Sequence, residues 1–260
     1  MRMADLVLKG LLVLVIGAVA GWINVFAGGG SLLTLPLLIF LGLPTAVANG
    51  TNRVAVTAQN VFAVMGFRSK GVSDLRLSLL FSVPAVIGSI IGARIAIDLP
   101  DALFRRVLAV VMVAVLVIVL WDPAKRMKKV DKTLTPLRAV VAVVGFFLIG
   151  VYGGFLQAGV GFLIIAFIVF LTGLDLVRTN ALKVFIIGLL TIVALIMFAI
   201  EGKVDWPLGI ALGVGNSLGG WFGSRFQVEK GEKVVRIMLV VGVLIMALQL
   251  SGIVHIPGWK

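Results

Sequence analysis

The sequence predicts an all-α integral membrane protein made of two homologous repeats. Each repeat has about four long transmembrane helices and one short broken half-helix. Three observations lead there. The first is composition: of 260 residues, 61% are hydrophobic and 13% are charged, where a soluble domain has about 45–50% and about 25%. So few charges cannot cover a soluble surface. A soluble globular domain, a disordered chain and a DNA-binding protein are excluded despite the net charge of +12. The second is the spacing of long apolar runs, and the third is an internal offset that superimposes the unusual residues of the two halves.

The apolar runs lie at 10–27, 45–67, 76–97 and 103–121, then at 138–158, 178–200, 206–226 and 233–251. Each approaches the ~20 residues a helix needs to cross a bilayer. The opening MRMADLVLKGLLVLVIGAVAGW resembles a signal peptide. It runs on into a glycine cluster that recurs later, and it reads as a retained first membrane helix. Two further apolar pieces, 31–41 and 162–172, are too short to cross. Each follows a glycine cluster and ends at Gly-Leu.

An offset of 131 positions places Gly28 on Gly159, Gly30 on Gly161, Gly42 on Gly173, Asn49 on Asn180, Gly71 on Gly202, Asp74 on Asp205 and Arg105 on Arg236. GSIIGAR (88–94) falls on GGWFGSR (219–225). Leucine matches would mean little in such a chain, whereas Gly, Asn, Asp and Arg matches at one offset mark a duplication. The division is therefore 1–121 for the first repeat, 122–137 for a basic linker and 138–260 for the second. Lys125, Arg126, Lys128, Lys129, Lys132 and Arg138 cluster around that linker and make it cytoplasmic by the positive-inside rule. Charge counting does not separate inverted from parallel repeats. Inversion is favoured because paired short post-glycine segments are the mark of discontinuous helices meeting at mid-membrane.

Three groups of residues carry candidate chemistry. Asn24 and the run Gly28-Gly29-Gly30-Ser31 interrupt a helix inside apolar sequence. Glycine weakens a helix interior, and free backbone at membrane depth is tolerated only against protein or a water-filled cavity. A short helix starting at Ser31 would present its N-terminal N–H groups there, and such an end attracts anions. Gln157, Gly159 and Gly161 would do the same in the second half.

The second group is Asn49, Thr51, Asn52 and Arg53, partnered by Asn180 and Lys183. Two cations about ten residues past a Gly-Leu turn, with no obvious carboxylate partner, suggest an anion as that partner. Snorkelling of the long side chains is the alternative. The third group, Arg94 and Arg225, reads first as close helix packing capped by interfacial arginines.

The chain has no cysteine, which removes disulfides and thiolate sites. Its acidic residues fall in loops or near helix ends, and the single His255 follows the last apolar run. No HExxH or Walker A motif is present. The expectation is no enzyme, no cofactor, no metal and no nucleic acid.

The segments AGGGSLLTLPLLIFLGLPTAVANGTNRVAV (27–56) and GGFLQAGVGFLIIAFIVFLTGLDLVRTNALKV (153–184) resemble the TauE/SafE family of membrane transporters, the sulfite exporters. The resemblance covers nearly the whole chain. It implies transport of small sulfur-containing anions such as sulfite, thiosulfate or organosulfonates. It also implies binding positions at Gly28 to Ser31, Asn49, Thr51, Asn52, Gln157, Gly159, Gly161 and Asn180. Phe162 and Leu182 stand where the first copy has Ser31 and Thr51, which argues against a fully symmetric site.

The expected protein is a multi-pass secondary active transporter of the cell inner membrane. Its partners would be a small anionic substrate and the lipid bilayer. Proton or sodium coupling and a homodimer stay open. A passive anion channel of the same architecture is the alternative.

Overall fold

A computed structural model describes residues 3–121 and 135–250, with side chains described for 13–111, 114 and 135–230. Most of the linker, residues 122–134, and His255 lie outside the described residues. Among those described, all regular structure is helical. The helices are α1 (Met3–Ala27), α2 (Ser31–Phe40), α3 (Thr45–Ser69), α4 (Leu75–Ile97), α5 (Asp101–Trp121), α6 (Pro136–Phe155), α7 (Val160–Thr172), α8 (Leu176–Ile200) and α9 (Trp206–Leu250).

The helix boundaries follow local chemistry. Asp74, Asp175 and Asp205 each accept a backbone N–H three residues on, at 3.0 Å in all three cases. These are N-cap bonds, which satisfy donors that a helix start leaves free. The left-handed glycines fall into three pairs, Gly28 with Gly159, Gly42 with Gly173 and Gly71 with Gly202. Each pair is separated by the same 131 positions, and each member ends or interrupts a helix.

By length and apolarity α4, α6 and α8 qualify outright as membrane spans. Their outer faces expose large apolar side chains, among them Leu79, Val83, Ile87, Val140, Val144 and Leu148. Exposed apolar surface on this scale needs lipid or a partner against it. The sequence expectation of separate spans at 206–226 and 233–251 is corrected: residues 206–226 and 233–250 lie in the single 45-residue helix α9. The intervening QVEKGEK contains no proline and one glycine, so nothing in it forces the helix to stop.

Glycines set the packing and fix the helix directions. A Cβ on Gly215, Gly219 or Gly223 of α9 would meet Leu14, Ala18 and Trp22 of α1 in that order. The two helices are therefore parallel and close enough to demand glycine. On α6, Gly150 and Gly154 face Ala85 and Ser89 of α4, again in parallel. Helices α3 and α8 run oppositely: Gly50 faces Phe198, Gly188 faces Asn60, and Phe67 clusters with Val184.

The bundle thus has two ends. At the linker end lie the Lys70–Asp74 turn, the start of α8 and Glu229, where Lys70 Nζ meets Glu229 Oε1 at 2.7 Å. At the far end lie Asp101, which accepts from Thr45 Oγ1 at 2.6 Å, and Glu201, paired with Arg94 at 3.1 Å. The hairpin α1–α2 enters from the far end and turns back to it. The hairpin α6–α7 does so from the linker end.

Candidate functional site

The two hairpins touch at their glycine breaks. A Cβ on Gly28 would strike the Gly161 Cα, and a Cβ on Gly161 would strike that of Gly28. The backbone at Gly28 is left-handed, φ +83°, as is Gly159 at +74°. Gln157 adopts φ +63°, the one non-glycine residue with positive φ among those described. The starts of α2 and α7 therefore meet in the interior of the bundle.

Each interruption frees backbone groups, and side chains from the long helices collect them. The Asn24 Oδ1 accepts from Gly30 N–H at 3.3 Å, while its Nδ2 donates to Gln59 Oε1 at 2.8 Å. Asn52 bridges the first turn of α2: its Nδ2 donates to Ser31 Oγ at 3.1 Å, and its Oδ1 accepts from Thr34 Oγ1 at 2.5 Å. In the second half Gln157 Nε2 donates to Thr191 Oγ1 at 2.7 Å.

The buried cations reach across the molecule. Lys183 of α8 donates through Nζ to the carbonyls of Asn24 and Val25, at 2.9 and 2.7 Å. These carbonyls lie in the last turn of α1. Arg53 of α3 donates through Nη1 to Gly153 O at 3.3 Å and through Nη2 to Gly154 O, near the end of α6. Beside each cation an asparagine makes a similar bond: Asn49 Nδ2 to Phe155 O at 2.8 Å and Asn180 Nδ2 to Phe26 O at 3.4 Å. Helix C-termini carry about half a negative charge, so cations belong there. Arg53 also stacks over the Phe198 ring, 4.9 Å from its centroid.

Of the residues singled out from sequence, Asn24, Gly28, Gly29, Gly30, Ser31, Asn49, Asn52, Arg53, Gln157, Gly159, Gly161, Asn180 and Lys183 gather around the two breaks, all buried. Thr51 does not join them. Its Oγ1 accepts from Asp205 N–H at 2.9 Å, toward the far end. Arg53 and Lys183 form no ion pair among the described residues; carbonyls occupy their terminal nitrogens. Arg94, in the last turn of α4, bonds Asp98 and Glu201; Arg225, mid-way along the continuous α9 rather than at a helix end, lies over the Trp221 ring.

The structure also brings in Gln59, which the sequence places further along the polar element of Asn49 to Arg53, and it adds Thr191, Thr34 and Gln227, the last accepting from Asn180 Nδ2 at 2.7 Å. Thr191 lies 131 positions after Asn60, so the repeat offset carried a signal for it. Nothing local in the sequence marked Thr34 or Gln227.

Several buried polar atoms have no partner: Arg53 Nε, Gln59 Nε2, Gln157 Oε1 and Asn180 Oδ1. Native proteins pair such groups with protein, water or ligand. The cluster thus retains two unfilled donors, Arg53 Nε and Gln59 Nε2, and two unfilled acceptor oxygens, in a region sealed from solvent. This arrangement suits binding of a small anion rather than covalent chemistry.

Comparison with known proteins shows the family. The profile of the sulfite exporter TauE/SafE family matches residues 13–250. The chain belongs to the TauE/SafE family. Among curated proteins it is 28% identical to "Probable membrane transporter protein ORF9" of Sinorhizobium sp over 251 residues, 95% of each chain. It is 27% identical to a "Probable membrane transporter protein" of Haemophilus influenzae, covering 94% of each. It is 29% identical to "Probable membrane transporter protein YfcA" of Escherichia coli K12, covering 90% of this chain and 87% of that one. No solved structure matches. Family and relatives make the chain a membrane protein of a transporter family.

Proposed function

We propose that the protein is a secondary active transporter of a small sulfur-containing anion such as sulfite, thiosulfate or an organosulfonate. It works by alternating access across the inner membrane. The observation carrying this reading is the meeting of two glycine-broken hairpins at Gly28 and Gly161, ringed by buried cations and unfilled N–H donors. The two halves are read as inverted repeats. Support comes from the antiparallel course of α3 and α8, which occupy equivalent positions, and from the three glycine pairs at one offset. The linker end is the cytoplasmic one on this reading, since Arg68, Lys70, Arg76 and Arg178 join the basic linker there.

Substrate sits between the half-helix starts. The unfilled donors Gln59 Nε2 and Arg53 Nε and the break amides replace its hydration, while Arg53 and Lys183 hold the breaks open and supply positive potential. The sealed centre favours a carrier over a passive channel, which needs a continuous path. Without a carboxylate in the centre, coupling falls to a proton carried on the substrate or to sodium held by break carbonyls.

The test is a thermal-shift screen of purified protein against sulfite, thiosulfate, sulfoacetate, sulfate and carboxylates, followed by flux in proteoliposomes. Specific binding raises apparent stability by mass action, and an imposed pH or sodium gradient identifies the coupling ion. Absence of both stabilisation and flux for every sulfur anion would sink the proposal. Flux far above carrier turnover would make the protein a channel.

A further inference from the structure

Two adjoining cavities of ≈ 110 and ≈ 320 Å³ open at the linker end, between α3, α8 and the turn that joins α3 to α4. Val72, Ser73, Asp74 and Ala181 line both, with Phe67 on one wall and Leu182 on the other. A water molecule's share of the liquid is about 30 Å³, so the larger cavity has room for a hydrated small ion. The cavity is half polar, and Arg178 stands on its rim.

The 131-position offset identifies the counterpart of this cavity at the far end. Phe67 corresponds to Phe198, Val72 to Lys203, Asp74 to Asp205, Ala181 to Gly50 and Leu182 to Thr51. At the far end these partners are in direct contact. A Cβ on Gly50 would run into the Lys203 carbonyl and lie 3.0 Å from the Phe198 ring. Thr51 Oγ1 accepts the Asp205 N–H at 2.9 Å. At the linker end Leu182 has no hydroxyl to make that bond to Asp74, and the same surfaces stand apart around a cavity. Two equivalent crevices thus exist in one molecule, one closed and one open. Phe67, on the cavity wall, packs in one apolar cluster with Val25, Ala63 and Val184, and Val25 is the α1 residue whose carbonyl holds Lys183.

We propose that the cavity at the Val72–Asp74 turn is the cytoplasmic half of the anion's path, roofed from the central site by Phe67. Gly50, Thr51, Phe198 and Asp205 form its external half, here closed and latched. This assignment rests on the alternating-access reading above and adds which surfaces part on each side. Thr51 is thereby a latch rather than a substrate ligand.

The chain has no cysteine, so single cysteines report accessibility without background. Ala181→Cys, Ser73→Cys and Thr51→Cys are labelled with a membrane-impermeant maleimide in right-side-out and inside-out vesicles. After washing, flux of sulfite and of sulfoacetate is measured. Ser73 lies on a turn and guards against misfolding of the helical variant. Expected is reaction of positions 181 and 73 from the cytoplasmic side with loss of flux. Position 51, where cysteine also removes the latching hydroxyl, reacts from outside and not from the cytoplasmic side, and faster when an anion gradient drives turnover. Full labelling at both 181 and 73 with unchanged flux overturns the assignment, as does cytoplasmic labelling at 51. A parent chain that moves neither anion overturns the transport reading itself, and needs no cysteine variant to be seen.

Discussion

The contact between the two breaks makes a quantitative demand that three alanine substitutions dissect. Gly42 has φ +95° and open space where a Cβ would sit, so Gly42→Ala meets backbone strain alone. Strain of that kind costs about 1–2 kcal/mol. Gly161 lies within α7 and has no positive φ, but its added methyl would collide with the Gly28 backbone. Overpacking against atoms that cannot move costs about 1–3 kcal/mol. Gly28→Ala meets both penalties, φ +83° and the Gly161 backbone, for about 2–5 kcal/mol.

In a chain of this size each kcal/mol moves the thermal midpoint by about 2–4 °C. Gly28→Ala should then lose about 4–20 °C and Gly42→Ala about 2–8 °C, measured on detergent-purified protein. A single scan rate is needed, because membrane proteins commonly unfold irreversibly and the midpoint is then partly kinetic. Flux sharpens the distinction. Gly161→Ala should abolish it even where folding survives, since the half-helix starts no longer meet, whereas Gly42→Ala should retain it. A Gly28→Ala midpoint no lower than that of Gly42→Ala would refute close contact of the breaks.

Further outcomes follow from the polar contacts. Thr51→Val keeps shape and deletes the acceptor for Asp205 N–H. A neutral hydrogen bond is worth about 0.5–1.5 kcal/mol, so the externally open population should rise about 2- to 13-fold, read as faster external labelling of a cysteine at Val204. Lys183→Met leaves the Val25 carbonyl without its donor, at about 1–3 kcal/mol, while the Asn24 carbonyl keeps the Gly28 N–H at 2.8 Å; the saving from not burying an ammonium offsets part of that cost. A lowered midpoint for Met and a nearly normal one for Lys183→Arg is expected; an unchanged midpoint for Met would deny the capping role. Lys70 beside Glu229 holds that carboxylate below its ordinary range, through their hydrogen bond and its charge. A depressed folded value means stability present above the unfolded value and lost as pH falls through the folded one. The small difference in midpoint between parent and Glu229→Gln at pH 7 should therefore vanish on acidification below the usual carboxylate range.

Much of this organisation was legible beforehand because it rests on short-range rules. Three glycines in apolar sequence stop a helix wherever they occur, and Gly28–Gly30 did so. The Gly-Leu ends of the two short segments, the N-capping aspartates and the repeat offset are equally local. What escaped was partner choice across the molecule. Arg53 and Lys183 were legible as buried cations without carboxylates, but a sequence does not show that the free carbonyls of a distant break will take their donors. Thr51 sits among polar neighbours yet faces away from them, because one helical turn separates the break from the far-end turn. The continuous α9 escaped for the opposite reason: charges at Glu229, Lys230 and Glu232 suggest a loop, while a helix tolerates exposed charges such as Glu229 and Lys230.

The electrostatics of the centre follow from combining these placements. Two helix C-termini, those of α1 and α6, and two helix N-termini, those of α2 and α7, converge there. Each end carries about half a unit of charge, so the four cancel in pairs and leave the formal charges of Arg53 and Lys183. Their carbonyl partners satisfy hydrogen bonds but supply no countercharge beyond those half units. A central site with two uncompensated positive charges favours a dianion over a monoanion of like shape, since the interaction scales with the product of the charges. Sulfoacetate should therefore bind more tightly than methanesulfonate, as read by thermal shift at equal concentration. Lys183→Arg should preserve that order, and Lys183→Met should narrow the gap. Equal stabilisation by the two anions in the parent protein would mean that the cations serve the breaks alone, and that anion selectivity comes from the neutral donor Gln59 and the break amides.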